Sequence, residues 1–394
     1  MIEKLRVRNF RCLRDVEVPL GPLNFLIGPN NTGKSSFLDA MQLFSRCATG
    51  QDVPTAFQST GLRLERLLTG GSPKLCVEYE GRVCLGGQEG ERQRVSQAMA
   101  IGLRPGHPVI EREEIKWEDE HGKLQRTLRK ARYEDRAASE YHGDDVNPKR
   151  HVHVHDQGIL AALMQQREET CSELFAALRF SQKYRLIPGK IAAPCEVRPS
   201  FELAPDGQGL ASCLDTVREH DPERFKAIED ALKRFVGSVD AVTFPTVEPG
   251  KKTVLFREKP HGYKVYASEA SDGLLLFLAY LTIAYAHEDV SVLLIEEPET
   301  GVNPHRLRAI VELLRAISRG ALGSPPVQVI ATSHSPYLLD WCGKEEITVF
   351  QRDTEGDVRT TPLSQVKDID DRLKDFSPGE LIFTFGEQIC ESRS

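Results

Sequence analysis

Gly28-Pro29-Asn30-Asn31-Thr32-Gly33-Lys34-Ser35-Ser36 decides how this chain reads. The stretch fits G-x-x-x-x-G-K-[ST], follows an apolar run from Leu23 to Ile27 that reads as a strand, and leads into Ser35–Arg46, which reads as a helix. Strand, loop and helix in that order are the setting in which a glycine-rich loop wraps a triphosphate. Backbone N–H groups and the helix N-terminus supply positive potential, Lys34 is expected to reach the β- and γ-phosphates, and the Ser35 hydroxyl to ligate Mg²⁺. Asn30, Asn31, Thr32, Gly33, Lys34, Ser35 and Ser36 are therefore the expected nucleotide-binding residues.

Working outward, the decisive partner lies in the last third. Val292-Leu293-Leu294-Ile295 is a continuous apolar run suited to a strand buried on both faces, and Glu296-Glu297 stand at its C-terminal end, where ligands sit in an open parallel sheet. Glu296 is expected to hold the metal shell. Glu297 is the candidate to orient or deprotonate the attacking water, because a metal and Lys34 handle phosphate charge without positioning a nucleophile. Before this strand, Ser271-Asp272-Gly273 precedes a helix-like apolar segment, Leu274 to Ala286, so Ser271 and Gly273 sit where a helix N-terminus presents N–H groups to an anion. After it come a polar helix, Pro304 to Arg319, and a third buried strand, Val327 to Ser333, with His334 at its exit as a candidate γ-phosphate sensor.

P-loop, S-D-G, I-E-E-P-E and T-S-H-S-P in this order resemble the ABC-type ATPase heads of the RecF, SMC and OLD group. Within that group the chain is most similar to the toprim-less AAA-type ATPases often paired with anti-phage effectors. The opening Leu5-Arg6-Val7-Arg8-Asn9-Phe10-Arg11-Cys12-Leu13 is similar to the group's first strand, and the resemblance implies that Arg11 lies near the nucleotide. It further implies an α/β P-loop head with a β-rich lobe and a helical insertion, ATP and Mg²⁺ as cofactors, and a homodimer. In that dimer Ser271 and Gly273 of one subunit would touch ATP held by Lys34 of the other. A separate effector protein, nuclease or toxin, and DNA are the implied partners, in anti-phage defence; the alternatives are a RecF-like DNA repair or maintenance ATPase and an OLD-like nuclease subunit.

The chain departs from that pattern at three places. Glu296 stands where transporter-type heads carry Asp, the signature is S-D-G rather than L-S-G-G-Q, and Asn303 occupies a position where relatives often place His. The glutamine that couples metal to lobe interface has Gln51 and Gln58 as candidates.

The 394 residues, 40% hydrophobic and 28% charged, fall in the globular range, and the formal charge of -7 excludes a globally basic surface that coats nucleic acid. Nine cysteines without a C-x-x-C pair point to reduced thiols in a cytoplasmic protein. The N-terminus lacks an apolar h-region, and the longest apolar stretch is too short to cross a bilayer, so no membrane is expected. The expected organisation is residues 1–47 as the N-terminal part of the head with the P-loop, 48–200 as a β-rich lobe and inserted, partly helical region, and 201–394 as the C-terminal part with signature, acidic strand and His switch.

In the middle region, Leu75–Glu80 and Val83–Leu85 read as strands, and Lys123 to Arg150 carries Arg126, Arg129, Lys130 and Arg132 as the best candidate contact for DNA or an acidic partner. A solvated arm of mixed charge is the competing reading. His151, His153 and His155 alternate with valines, as on an exposed strand edge, with a metal site as the competing reading, and Ala161–Phe180 reads as an amphipathic helix. Asp368-Ile369-Asp370, in a charged tail with no apolar strand before it, reads as a solvated turn rather than a nuclease centre.

Overall fold

In a computed structural model, which describes residues 1–58, 64–72, 74–84, 92–104, 107–119, 121–133, 136–143, 172–286, 290–322 and 325–386, three strands precede the phosphate loop. They are β1 (Ile2–Phe10), β2 (Leu13–Pro19) and β3 (Leu23–Ile27), and they part into two sheets. β1 and β2 pair antiparallel and continue through β4 (Lys74–Cys84), β5 (Arg92–Arg104), β6 (His107–Glu118), β7 (Leu124–Tyr133) and β8 (Arg136–Gly143). The result is a seven-stranded sheet of order β2-β1-β4-β5-β6-β7-β8.

β9 (Phe180–Tyr184) returns the chain to the other sheet. Two small sheets follow, one of β10 (Cys195–Glu196), β12 (Thr246–Glu248) and β13 (Lys251–Lys252), the other of β11 (Val239–Thr243), β14 (Leu255–Glu258) and β15 (Tyr263–Tyr266). The core sheet is then completed by β16 (Val292–Glu296), β17 (Gln328–Ser333), β18 (Ile347–Arg352) and β19 (Val358–Pro362), in the order β19-β18-β3-β17-β16-β9. Its four pairings from β18 to β9 are parallel and β19 is an antiparallel edge.

Every residue of β3, β16 and β17 is buried, which is why these strands read as unbroken apolar runs instead of alternating ones. Successive side chains go to opposite faces. Leu23, Phe25, Ile27, Leu293, Ile295, Val329 and Ala331 pack into the core formed with the helices Leu210–His220, Pro222–Phe235, Asp272–Ala286 and Leu307–Ser318. Leu26, Val292, Leu294 and Ile330 face the core shared by the P-loop helix Lys34–Ala48 and the seven-stranded sheet. Two cores clamp one parallel sheet, and the C-terminal ends of its strands carry the loop, the acids and the histidine.

The structure changes several local expectations. Leu75–Glu80 and Val83 belong to the single strand β4, and Leu85 lies outside the described residues. The expected helix Ala161–Phe180 is described only from residue 172: Ser172–Ala177 is helical, and Phe180 already belongs to β9 because it pairs with Val292. Residues 161–171, and with them His151, His153 and His155, lie outside the described residues. Sheet membership also crosses the divisions at 47/48 and 200/201, since β1 pairs with β4 and β9 with β16. Among the described residues no helix is long and apolar enough to cross a membrane.

Candidate functional site

The loop between β3 and the P-loop helix is shaped by three residues in the left-handed region: Gly28 (φ 143°), Asn31 (φ 65°) and Gly33 (φ 91°). A Cβ on Gly28 would lie 2.0 Å from the Phe350 carbonyl oxygen, and one on Gly33 would lie 2.6 Å from Leu13 Cδ2. These two positions need glycine. Arg352 on β18 donates to the Asn31 carbonyl at 2.8 Å, and Thr32 Oγ1 to the Pro29 carbonyl at 2.9 Å, so the loop is braced from outside and within. Lys34 opens the helix, 4% exposed, with Nζ donating to Gly28 O at 2.8 Å and Pro29 O at 2.7 Å. Burial brings its pKa down to about 8, with Glu297 pulling it up. Ser35 is exposed at the same helix end, whose first N–H groups have no intrahelical partner.

Facing the loop, Glu296 is nearly buried at the end of β16 and Glu297 adopts a left-handed φ of 49°, a strained conformation for a non-glycine residue. His334 Nε2 lies 3.9 Å from Glu297 Oε1. Burial first, then the Lys34 ammonium, hold the His334 ring below its ordinary pKa, against Glu297, Glu299 and a hydrogen bond with the Gly28 backbone. Glu299 fixes this corner, accepting from Ser333 Oγ at 2.8 Å and from the His334 backbone N–H at 2.9 Å. Lys34, Glu297 and His334 are thus brought together. A Ser35 hydroxyl and a Glu296 carboxylate are hard oxygen donors of the kind Mg²⁺ takes, and the buried lysine beside a strained glycine loop fits a polyphosphate.

Arg11, itself at φ 51°, reaches the P-loop helix by pairing with Asp39. Ser271 and Gly273 lie elsewhere. They line a cleft of about 440 Å³ with Asp272, Gly301, Asn303, His305 and Arg306, and no residue of the loop 28–36 lines it. Asn303 caps the short turn Pro304–Arg306, accepting from His305 N at 3.1 Å.

The family described as "AAA domain, putative AbiEii toxin, Type IV TA system" matches residues 114–340, more than half of the chain, and the family described as "AAA ATPase domain" matches residues 1–79. The chain belongs to the first of these families. It is an ATPase of the AAA type, and its fold is the ABC-type head of the RecF, SMC and OLD group. The "OLD nuclease" of Thermus scotoductus is 51% identical over 43 residues, and "Uncharacterized protein MJECL10" of Methanocaldococcus jannaschii is 41% identical over 51 residues. The matched stretches are 11% and 13% of this chain and span only 8% and 23% of those relatives. Among solved structures, an SMC head bound to the C-winged helix domain of ScpA superposes with a TM-score of 0.51 at 12% identity, covering 91% of this chain and 96% of that one. The SMC head domain from Thermotoga maritima gives 0.44 at 11% identity over 92% and 98%.

Sequence reasoning missed the cations that hold the acids. Lys183 and Arg185 extend from the end of β9, Lys183 Nζ lying 3.2 Å from Glu296 Oε1 and Arg185 Nη2 lying 2.9 Å from Glu297 Oε2. Gln51 follows the C-terminal end of the fifteen-residue P-loop helix, which puts it ~20 Å along the axis from the loop. Gln58 closes the next short helix, Val53–Gln58, and the strands that flank the acidic strand, β9 and β17, carry neither glutamine. On the outer sheet, Arg129 pairs with Glu114 at 2.6 Å and Arg126 lies over the Trp117 ring, while the side chains of Lys130 and Arg132 lie outside the described set. Asp368 precedes the helix Ile369–Asp375, and Asp370 pairs with Lys344.

Proposed function

We propose that this ATPase head is a switch: it hydrolyses Mg-ATP at a site shared between two copies of the chain and acts on a separate partner. The observation that carries the reading is the meeting of Lys34, Glu297 and His334 at the C-terminal ends of adjacent parallel strands. Mg²⁺, when bound, neutralises phosphate charge; Ser35 and Glu296 would hold it. Lys34 leaves the Gly28 and Pro29 carbonyls for the phosphate oxygens, exchanging neutral acceptors for charged ones. Glu297 orients the water and takes its proton. His334, neutral at pH 7 because burial and Lys34 depress its pKa, hydrogen-bonds the γ-phosphate without adding charge. Arg11, through Asp39, sets the P-loop helix against the outer sheet beside the nucleotide.

The separation of the Ser271–Gly273 cleft from the loop supports a composite site, in which these residues complete the ATP site of a second copy. The chemistry leaves the biological output to another chain, and anti-phage defence with a nuclease or toxin effector is the reading we favour, in the cytoplasm; of the divisions 1–47, 48–200 and 201–394, the first lends β1 and β2 to the lobe sheet and the second lends β9 to the core sheet. Mixing tests the shared site. Ser271→Arg and Lys34→Ala should each be inactive alone, and together they should recover activity from heterodimers that retain one intact composite site of two. No recovery at any mixing ratio would favour hydrolysis within one chain.

A further inference from the structure

Strand β9 ends beside the acidic end of β16 and brings positive charge there. Parallel register sets Lys183 against Leu294 and Tyr184 against Ile295, so Arg185 follows next to the acids. Residues two apart on a strand share a face. Lys183 and Arg185 address the acids, whereas Gln182 faces the other way and donates to the Leu203 carbonyl at 2.6 Å. The position flanking the metal carboxylate is therefore held by cations instead of a glutamine.

The geometry is that of a charge-neutral cluster. Lys183 Nζ lies between Glu296 Oε1 at 3.2 Å and Asp39 Oδ1 at 2.6 Å, and Asp39 is also paired with Arg11. The four side chains are only 21%, 11%, 16% and 25% exposed, so water screens their charges weakly. The left-handed turn at Glu297 brings the second acid round to Arg185, although neighbouring residues of a straight strand point to opposite faces.

We propose that Lys183 and Arg185 are the resting counter-ions of the acidic pair. Lys183 holds Glu296 until a divalent cation and nucleotide arrive together, and Arg185 keeps Glu297 from the attacking water until ATP is in place. The inference rests on reading Glu296 as metal ligand and Glu297 as base. An ammonium and a divalent cation repel each other at one carboxylate, so Lys183 weakens metal binding to the nucleotide-free head. Phosphate charge offsets that repulsion, and Asp39 remains to receive Lys183 when Glu296 lets go. Metal and nucleotide binding are coupled by this device.

Mn²⁺ binding to the nucleotide-free head, followed by the electron paramagnetic resonance signal of free Mn²⁺, tests it without turnover. Lys183→Met, and Lys183→Gln as the variant that keeps hydrogen bonds to both acids, should bind Mn²⁺ about tenfold or more tightly, while Lys183→Arg stays near wild type. Unchanged or weaker binding in both neutral variants overturns the proposal. Glu296→Gln should lose Mn²⁺; if it does while the neutral Lys183 variants show no tightening, the counter-ion inference alone fails. Retention of Mn²⁺ by Glu296→Gln would instead overturn the metal reading beneath it. Arg185→Gln should raise basal kcat several-fold with KM for ATP unchanged, and a kcat at or below wild type would remove Arg185 from the proposal.

Discussion

Raising the pH should loosen nucleotide binding through Lys34. The residue is 4% exposed, and burial brings the pKa down to about 8. Bound phosphates favour the charged lysine, so its pKa rises in the complex, and binding takes up a proton wherever the free lysine is neutral. Affinity is then level below the free pKa and falls above it, by up to tenfold or about 1.4 kcal/mol per pH unit. At pH 9 about nine-tenths of free Lys34 is neutral, which makes binding about tenfold weaker than at pH 7. Titration of a fluorescent ATP analogue at pH 7, 8 and 9 reads this directly, with Lys34→Met as the control that should bind weakly and without this slope. Calorimetry in two buffers of different ionisation heat should show uptake of about 0.9 proton at pH 9. Equal wild-type affinity at pH 7 and 9 would refute the argument that burial holds Lys34 near neutrality.

Gly28→Ala should cost roughly 3 kcal/mol or more, seen as a lower melting temperature and lost ATP binding, because its Cβ would lie 2.0 Å from the Phe350 carbonyl oxygen at a φ of 143°. Glu299→Ala leaves Ser333 Oγ and the His334 N–H without their acceptor; about 2–4 kcal/mol of stability should go, with kcat falling more than KM changes. Arg126→Glu with Arg129→Glu should leave basal hydrolysis within about twofold and abolish any stimulation by DNA, measured against salt concentration. The purified chain should not cut DNA or RNA in a gel assay, and metal-dependent cleavage surviving Lys34→Ala would promote the nuclease alternative.

The nucleotide-facing half of the site was legible because each part is a contiguous signal: a loop after an apolar run, two acids at the end of another, a histidine at the exit of a third. The resemblance of the opening strand implies Arg11 near the nucleotide; the structure pairs it with Asp39 of the P-loop helix. Lys183, Arg185 and Arg352 were not legible, since each acts through a pairing between distant segments. β9 meets β16 only in the sheet, and its first residue, Phe180, had been absorbed into an apparent helical period. β4 read as two pieces because Gly81 resembles a turn residue; in the fold its missing Cβ admits the Met1 carbonyl oxygen, which a Cβ would meet at 2.6 Å. In the basic stretch, one pairing was not legible either: cross-strand register places Arg129 opposite Glu114, with which it forms an ion pair.

The central claim is that ATP joins two heads and Glu297 ends the joined state. Glu297→Gln keeps the side chain's size and a hydrogen-bonding group but cannot accept the proton, so Mg-ATP should stay bound. Light scattering of this variant should give twice the chain mass with Mg-ATP and the single-chain mass with Mg-ADP. A mass that is the same with either nucleotide, while hydrolysis is lost, would contradict the account of an ATP-driven dimer.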